Sequence, residues 1–200
     1  MKDRITVCIC TFGRNQMLER LLRSLKLQET TGLFDFSVVV VDNDASGPAR
    51  DTVMRLKAEL GLEIDYGVEP EQIIPAARNH ALRLARGNYI GIIDDDEFPS
   101  QTWNQTRTGN VLLKREVFDK RRLRFDLKWK TSGSDRAFFK QAIQLGCRFI
   151  AVEEAPVYEN GPPERWKGNQ ILAKCLGRGG HQLSRLCAIF GIELVKKRDF

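Results

Sequence analysis

Glycine-rich phosphate loops, metal-finger cysteines, long apolar runs and internal repeats are all missing from this chain of 200 residues. Each absence removes a class of protein. No GxGxxG follows the first apolar segment, where Cys10-Thr11-Phe12-Gly13-Arg14 stands instead, so a dinucleotide-dependent dehydrogenase is disfavoured. Five cysteines, at 8, 10, 147, 175 and 187, have neither CxxC nor zinc-finger spacing. Their odd number and the lack of a signal peptide predict reduced thiols and a cytoplasmic protein. The apolar segment Leu186 to Val195 is too short to span a bilayer and is interrupted by Glu193. No low-complexity tract breaks the chain, and no RNA-binding aromatic signature accompanies its basic residues, which ranks nucleic acid last among partners.

What is present fits one large domain: 42% hydrophobic and 29% charged residues are ordinary for a globular protein that buries a core. Charge is divided unevenly. Residues 1–100 carry 12 basic and 16 acidic side chains, residues 101–200 carry 20 and 10, so the halves stand at −4 and +10. The basic half suits an anionic ligand or an anionic membrane surface.

The first half alternates between strand and helix patterns. Strands are expected at Ile5 to Cys10, Phe36 to Val41, Glu63 to Val68 and Tyr89 to Ile93. Helices are expected from Arg14 to Leu27, after Ser46 or Gly47 through Leu60 with Pro48 near the first turn, and from Pro75 to Ala85 with Gly87 as terminator. That order predicts an α/β fold with a mainly parallel sheet, helices on both faces and right-handed crossovers. Cys8 and Cys10 should share one strand face as small core residues. Beyond Pro99 the pattern changes. Lys114 to Lys130 reads as a solvated, partly irregular surface, and Ser132-Gly133-Ser134-Asp135 starts a helix with Phe138, Phe139, Ile143 and Leu145 on its apolar side and Gly146 at its end. A strand is expected from Arg148 to Val152.

The most informative segment is Tyr89-Ile-Gly-Ile-Ile-Asp94-Asp95-Asp96-Glu97, an apolar strand running into four acids. Those acids repel one another and fall where a parallel strand leaves its sheet, which is where open α/β folds bind ligands. A hard divalent ion suits carboxylate oxygens and shares its shell with substrate phosphates; a solvated acidic turn is the plain alternative. Asp42 and Asp44 end the second strand, where turn formation alone accounts for them. Arg78 has the chemistry to pair a phosphate and Asn79 to bond a base or sugar, against the alternative of an exposed helix face. Asp135 at a helix start is explained by itself as an acid that stabilises the exposed N–H groups and the positive dipole end.

Taken together and in order, Val7 to Arg14, Val40 to Ser46, Ala76-Ala77-Arg78-Asn79, Asp94 to Glu97, Thr108-Gly109-Asn110 and Ser132 to Asp135 resemble a family 2 glycosyltransferase of GT-A fold. Asp-Asp-Asp-Glu-Phe-Pro and the late Pro162-Pro163-Glu164-Arg165 are similar to the succinoglycan-type exopolysaccharide branch. The resemblance covers most of residues 4–180. It implies a single GT-A domain over 1–180, with a nucleotide-sugar-binding half (1–100), a shortened acceptor and catalytic half (101–180), and a tail at 181–200.

The resemblance also implies roles. Thr11, Arg14 and Asp42 would contact the nucleotide, Asp42 near the uracil, and Arg78 would lie by the diphosphate. Asp94 and Asp96 would form the DxD motif with Asp94 on ribose or the donor sugar, and Asn79 and Asp95 would join the nucleotide-sugar-binding set. Asp96 would coordinate Mn²⁺ or Mg²⁺, with Glu159 as a further oxygen ligand, and Asp135 would be the catalytic base. The implied partners are a nucleotide-sugar donor, UDP-linked, and a saccharide or lipid-linked saccharide acceptor. By its charge, the basic half with the segment Leu183 to Arg198 suits peripheral contact at the inner face of the cell membrane, with completion of the core by the tail's apolar residues as the alternative. Lys174 and Arg178 resemble a late cluster that closes over the diphosphate. The chain departs from the family in a short segment between the acids and Thr108, and in having Val157-Tyr158-Glu159 where many members carry a His. A non-catalytic nucleotide-sugar-binding protein is the second reading.

Overall fold

The computed structural model describes residues 2–28, 30, 32–99, 111–130, 133–148 and 157–159. Strands β1 (Asp3–Thr11), β2 (Phe34–Asp42), β3 (Ile64–Val68), β4 (Tyr89–Asp94) and β6 (Val111–Lys114) form one sheet in the order β3-β2-β1-β4-β6. The first four are parallel and β6 is antiparallel to β4. A second ribbon pairs β5 (Glu97–Pro99) antiparallel with β7 (Val157–Glu159).

Helices cover both faces because the central strands are apolar on both. α1 (Asn15–Lys26) buries Leu18, Leu21, Leu22 and Leu25, spaced to form one stripe, against Ile9, Val38, Val40 and Ile93. Each such leucine contributes about 1.5–3 kcal/mol of burial. α2 (Arg50–Leu60) joins the same layer through Val53 and Leu56, and Glu19, Arg23, Arg55 and Glu59 form an ion-pair network between the two helices.

The opposite face buries Cys8, Val39, Val41, Ile90 and Ile92 against α3 (Ile74–Leu84) and against Phe118 of α4 (Glu116–Asp119) and Phe138 of α5 (Ser134–Gln144). Cys8 and Cys10 both lie on this side, as expected, and Cys8, Cys10 and Cys147 are free thiols.

Several local expectations are corrected. α2 begins at Arg50 after Ala49, not directly after Ser46 or Gly47, because Gly47 and Pro48 are used in a turn whose end is tied to Asp42. Gly87 does not terminate α3. The helix ends at Leu84 with Ala85 already extended, and Gly87 is needed because a Cβ there would stand 2.5 Å from the Arg4 carbonyl oxygen and 2.7 Å from the Thr6 nitrogen. The Lys114 to Lys130 stretch is not simply solvated: Phe118, Leu123 and Phe125 are buried in the core while the cations between them face outward. Leu145 is exposed, whereas Ala142 joins Phe138 inside. Of the strand expected at Arg148 to Val152, only Arg148 is described, and it is outside any strand.

Candidate functional site

The parallel register brings three strand ends level. Thr11 is opposite Asp42, and Cys10 is opposite Asp94, so the carboxyl ends of β1, β2 and β4 form one rim. Ligands of open parallel sheets bind outside such a rim.

At its centre, Asp94 closes β4, and Asp95 and Asp96 turn the chain toward β5. Two arginines neutralise this run. Arg14, just ahead of α1, holds Nη2 2.5 Å from Asp95 Oδ1 and donates from Nη1 to Asp96 Oδ2 at 3.0 Å. Asp95 is fully buried, and Thr11 Oγ1 donates to its Oδ2 at 2.7 Å. Burial pushes the Asp95 carboxyl up to about 6, the neighbouring Asp96 and Asp94 add to the rise, and Thr11 and Arg14 oppose it. Thr11 and Arg14 thus hold the shape of the acidic turn.

Arg78 is the second counterion. Projecting from α3, it is buried, and its guanidinium donates from Nη2 to Asp94 at 3.1 Å and from Nη1 to Asp135. Burial works against its charge, but Asp135 and Asp94 outweigh that and hold the guanidinium above its ordinary range. The exposed helix face that sequence offered as an alternative is therefore ruled out for Arg78. Asp135 lies in the first turn of α5, and the Arg78 bridge brings it to the acidic rim across a gap of 41 residues from Asp94.

Asp42 and Asn79 are engaged elsewhere. Asp42 is fully buried; its Oδ2 accepts from the Ala49 N–H at 2.8 Å and from Tyr66 Oη at 3.1 Å, which ties the 43–49 loop to the sheet. Burial, with the Asp42 charge adding to it, raises the Tyr66 phenol. Asn43 secures the same loop by donating to the Glu69 and Glu71 carbonyls. Asn79, expected beside a base or sugar, uses both amide atoms on the backbone of Phe125: Nδ2 donates to its carbonyl at 2.7 Å and Oδ1 accepts its N–H at 2.9 Å.

Tyr66 was missed as a partner of Asp42, and Phe125 as a partner of Asn79 and Arg78. Tyr66 stands opposite Val40 in the β2–β3 register, a pairing that only the parallel topology supplies. Phe125 sits 46 positions from Asn79 inside a basic stretch with no local period.

Carboxylates suit a hard cation, and Asp96 and Glu159 are the ligands expected from sequence. Among the described residues no group of three or more His, Cys, Asp or Glu side chains is arranged to hold a metal. Asp96 supplies the rim with a carboxylate, the ligand type that suits Mg²⁺ or Mn²⁺. The backbone pairs Glu159 with Glu97 across β5 and β7. Thr108 to Asn110, Ser132, Pro162 to Arg165, Lys174, Arg178 and the tail lie outside the described residues. Among the described residues no helix is long and apolar enough to cross a membrane.

This rim of strand ends, closed by acids and arginines, belongs to a glycosyltransferase fold. Among solved structures, the chain is similar to the mannosyltransferase PcManGT from Pyrobaculum calidifontis, in complex with GDP-Man and Mn²⁺, with a TM-score of 0.67 at 18% identity over 94% of this chain and 65% of that one. It is also similar to S. aureus TarS 1-349 in complex with UDP, with a TM-score of 0.56 at 15% identity over 70% and 55%. The fold is thus of the GT-A type expected from sequence.

The family model for glycosyl transferase family 2 matches residues 6–142, and the chain belongs to that family. It is 35% identical over 99 residues to the succinoglycan biosynthesis protein ExoM of Rhizobium meliloti (strain 1021), covering 50% of this chain and 32% of that protein. It is 30% identical over 108 residues to a chondroitin synthase of Escherichia coli, covering 52% and 15%. The matched part spans a third or less of either relative.

Proposed function

We propose that the protein is a metal-dependent, inverting glycosyltransferase that moves a hexose from a UDP-linked sugar to a saccharide or lipid-linked saccharide in polysaccharide assembly. The observation that carries this reading is the Arg78 bridge, which sets the Asp135 carboxylate beside the acidic end of β4. Family membership and the similarity to ExoM support the reaction class and the setting.

On this reading the donor occupies the rim. Thr11 and Arg14 keep Asp95 and Asp96 in place, Asp42 and Asn43 hold the 43–49 loop that flanks the nucleotide, and Asp94 faces ribose or sugar. Arg78 supplies positive charge where the leaving diphosphate becomes negative. Asp96, with Glu159, would hold Mn²⁺ or Mg²⁺, which when bound stabilises that same charge as a Lewis acid. Asp135 accepts the proton of the acceptor hydroxyl while the acceptor oxygen bonds to the anomeric carbon and the bond to the diphosphate breaks. A single displacement inverts the anomeric centre.

A lipid-linked acceptor would place the work at the cytoplasmic face of the membrane, with the basic second half as its peripheral contact. The test is calorimetric titration of UDP with Mn²⁺ and then with EDTA, on wild type and Asp96→Ala. Metal-dependent binding lost in the variant is expected. Binding with no turnover of any donor would support the donor-binding reading without catalysis, and no binding to folded wild type would overturn the UDP assignment.

A further inference from the structure

Trp129 retains 40% of its surface exposed, although its own segment also holds the buried Leu123 and Phe125. Its ring rests on Gly133: a Cβ on that glycine would stand 3.1 Å from Cε3 and 3.2 Å from Cζ3. Gly133 has φ +88°, a left-handed conformation that favours glycine, and it immediately precedes α5. Asp135 follows two residues later. The backbone that presents Asp135 therefore also seats the indole.

The mount is rigid. Phe125 is tied to α3 by both amide atoms of Asn79, and its ring stacks on Phe138 of α5 with centroids 4.2 Å apart and planes 13° apart. Arg78 lies over the same ring at 5.3 Å. From there a turn closed by the Trp129 N–H on the Asp126 carbonyl, at 3.2 Å, delivers the indole. Asn79 thus contributes by fixing the wall that carries Trp129.

We propose that Trp129 is the floor of a saccharide subsite beside Asp135, stacking a pyranose ring of the acceptor. A pyranose has a polar rim and C–H faces; an indole offers a flat apolar face with one N–H donor at its edge and loses little rotamer freedom on binding. The subsite lies on the acceptor side because Trp129 shares its support with Asp135, whereas Asp95 and Asp96 are held from β1 through Thr11 and Arg14. This assignment rests on the glycosyltransferase reading above.

The test uses the full chain with Trp129→Ala and Trp129→Phe, and cellotetraose and maltotetraose at millimolar concentration as probes. The Trp129 indole N–H resonance, assigned by its loss in Trp129→Phe, shifts on adding at least one oligosaccharide. Trp129→Ala weakens that affinity about five- to tenfold and Trp129→Phe recovers most of it, with UDP affinity unchanged in both. The proposal is overturned if neither probe moves the resonance, or if Trp129→Ala binds oligosaccharide as wild type does. It is also overturned if the variant instead loses binding only to phosphatidylglycerol vesicles, which would make Trp129 a membrane contact. Failure of wild type to bind UDP would count against the donor reading, while the indole resonance still reports on saccharide by itself.

Discussion

Arg78 of α3 donates directly to Asp135 of α5, and the same guanidinium bonds Asp94 at the end of β4. One buried cation thus joins the acidic rim to the carboxylate proposed as base. Replacing it by Met removes the counterion from two carboxylates that are both about two-fifths exposed on their side chains, so solvent screens part of the loss. Arg78→Met is expected to lower stability by about 1–3 kcal/mol, read from the urea midpoint. Transfer is expected to fall more steeply than the population of folded protein.

Asp135→Asn keeps the shape and one acceptor oxygen for Arg78 but removes the proton acceptor. Turnover should fall by about 10²–10⁴-fold with UDP affinity changed little. An unaltered kcat, measured by UDP release with donor and acceptor present, would remove Asp135 from the chemistry.

Burial pushes the Cys10 thiol up to about 12, with Asp94 and Asp95 adding to the rise against Arg78, and burial likewise raises Cys8. Both thiols stay protonated in the native protein where the unfolded chain, starting from 9.0, ionises. The native state then binds more protons, so stability should decline as pH rises through about 9. Below that pH these two groups contribute no slope. Thiol labelling at pH 8 should leave Cys8 and Cys10 unmodified until denaturant is added, checked by peptide mass analysis.

Gly87→Ala introduces a methyl into space bounded by the Arg4 and Tyr89 carbonyl oxygens and the Thr6 nitrogen. These are backbone atoms of paired strands and do not swing aside. The substitution should destabilise by about 1–3 kcal/mol or prevent folding, visible in thermal melts. Gly61→Ala, with open space around its Cβ but a left-handed backbone, should cost less.

The acids were legible because an apolar strand cannot continue through Asp94-Asp95-Asp96, and the strand–helix alternation before them leaves few topologies. The counterions were harder to read. Arg78 lies on a helix whose pattern allowed an exposed face, and only the tertiary fold encloses it with Asp94, Asp135 and the Phe125 ring. Phe118, Leu123 and Phe125 were hidden because they alternate irregularly with lysine and arginine, and they share one buried cluster in which Phe118 and Phe125 stack on Phe138.

By itself the sequence determined the parallel α/β order, the apolar stripe of α1, the acidic rim after β4 and the presence of Arg14, Arg78 and Asp135, since periodicity and strand ends are local properties. Tertiary structure alone decided what those charges do. Parallel pairing set Thr11 beside Asp42, the turn after β4 carried Asp95 inward onto Thr11 and Arg14, and the placement of α5 brought Asp135 to Arg78. Such contacts join residues tens of positions apart, and no local pattern encodes which distant charge a buried arginine will meet.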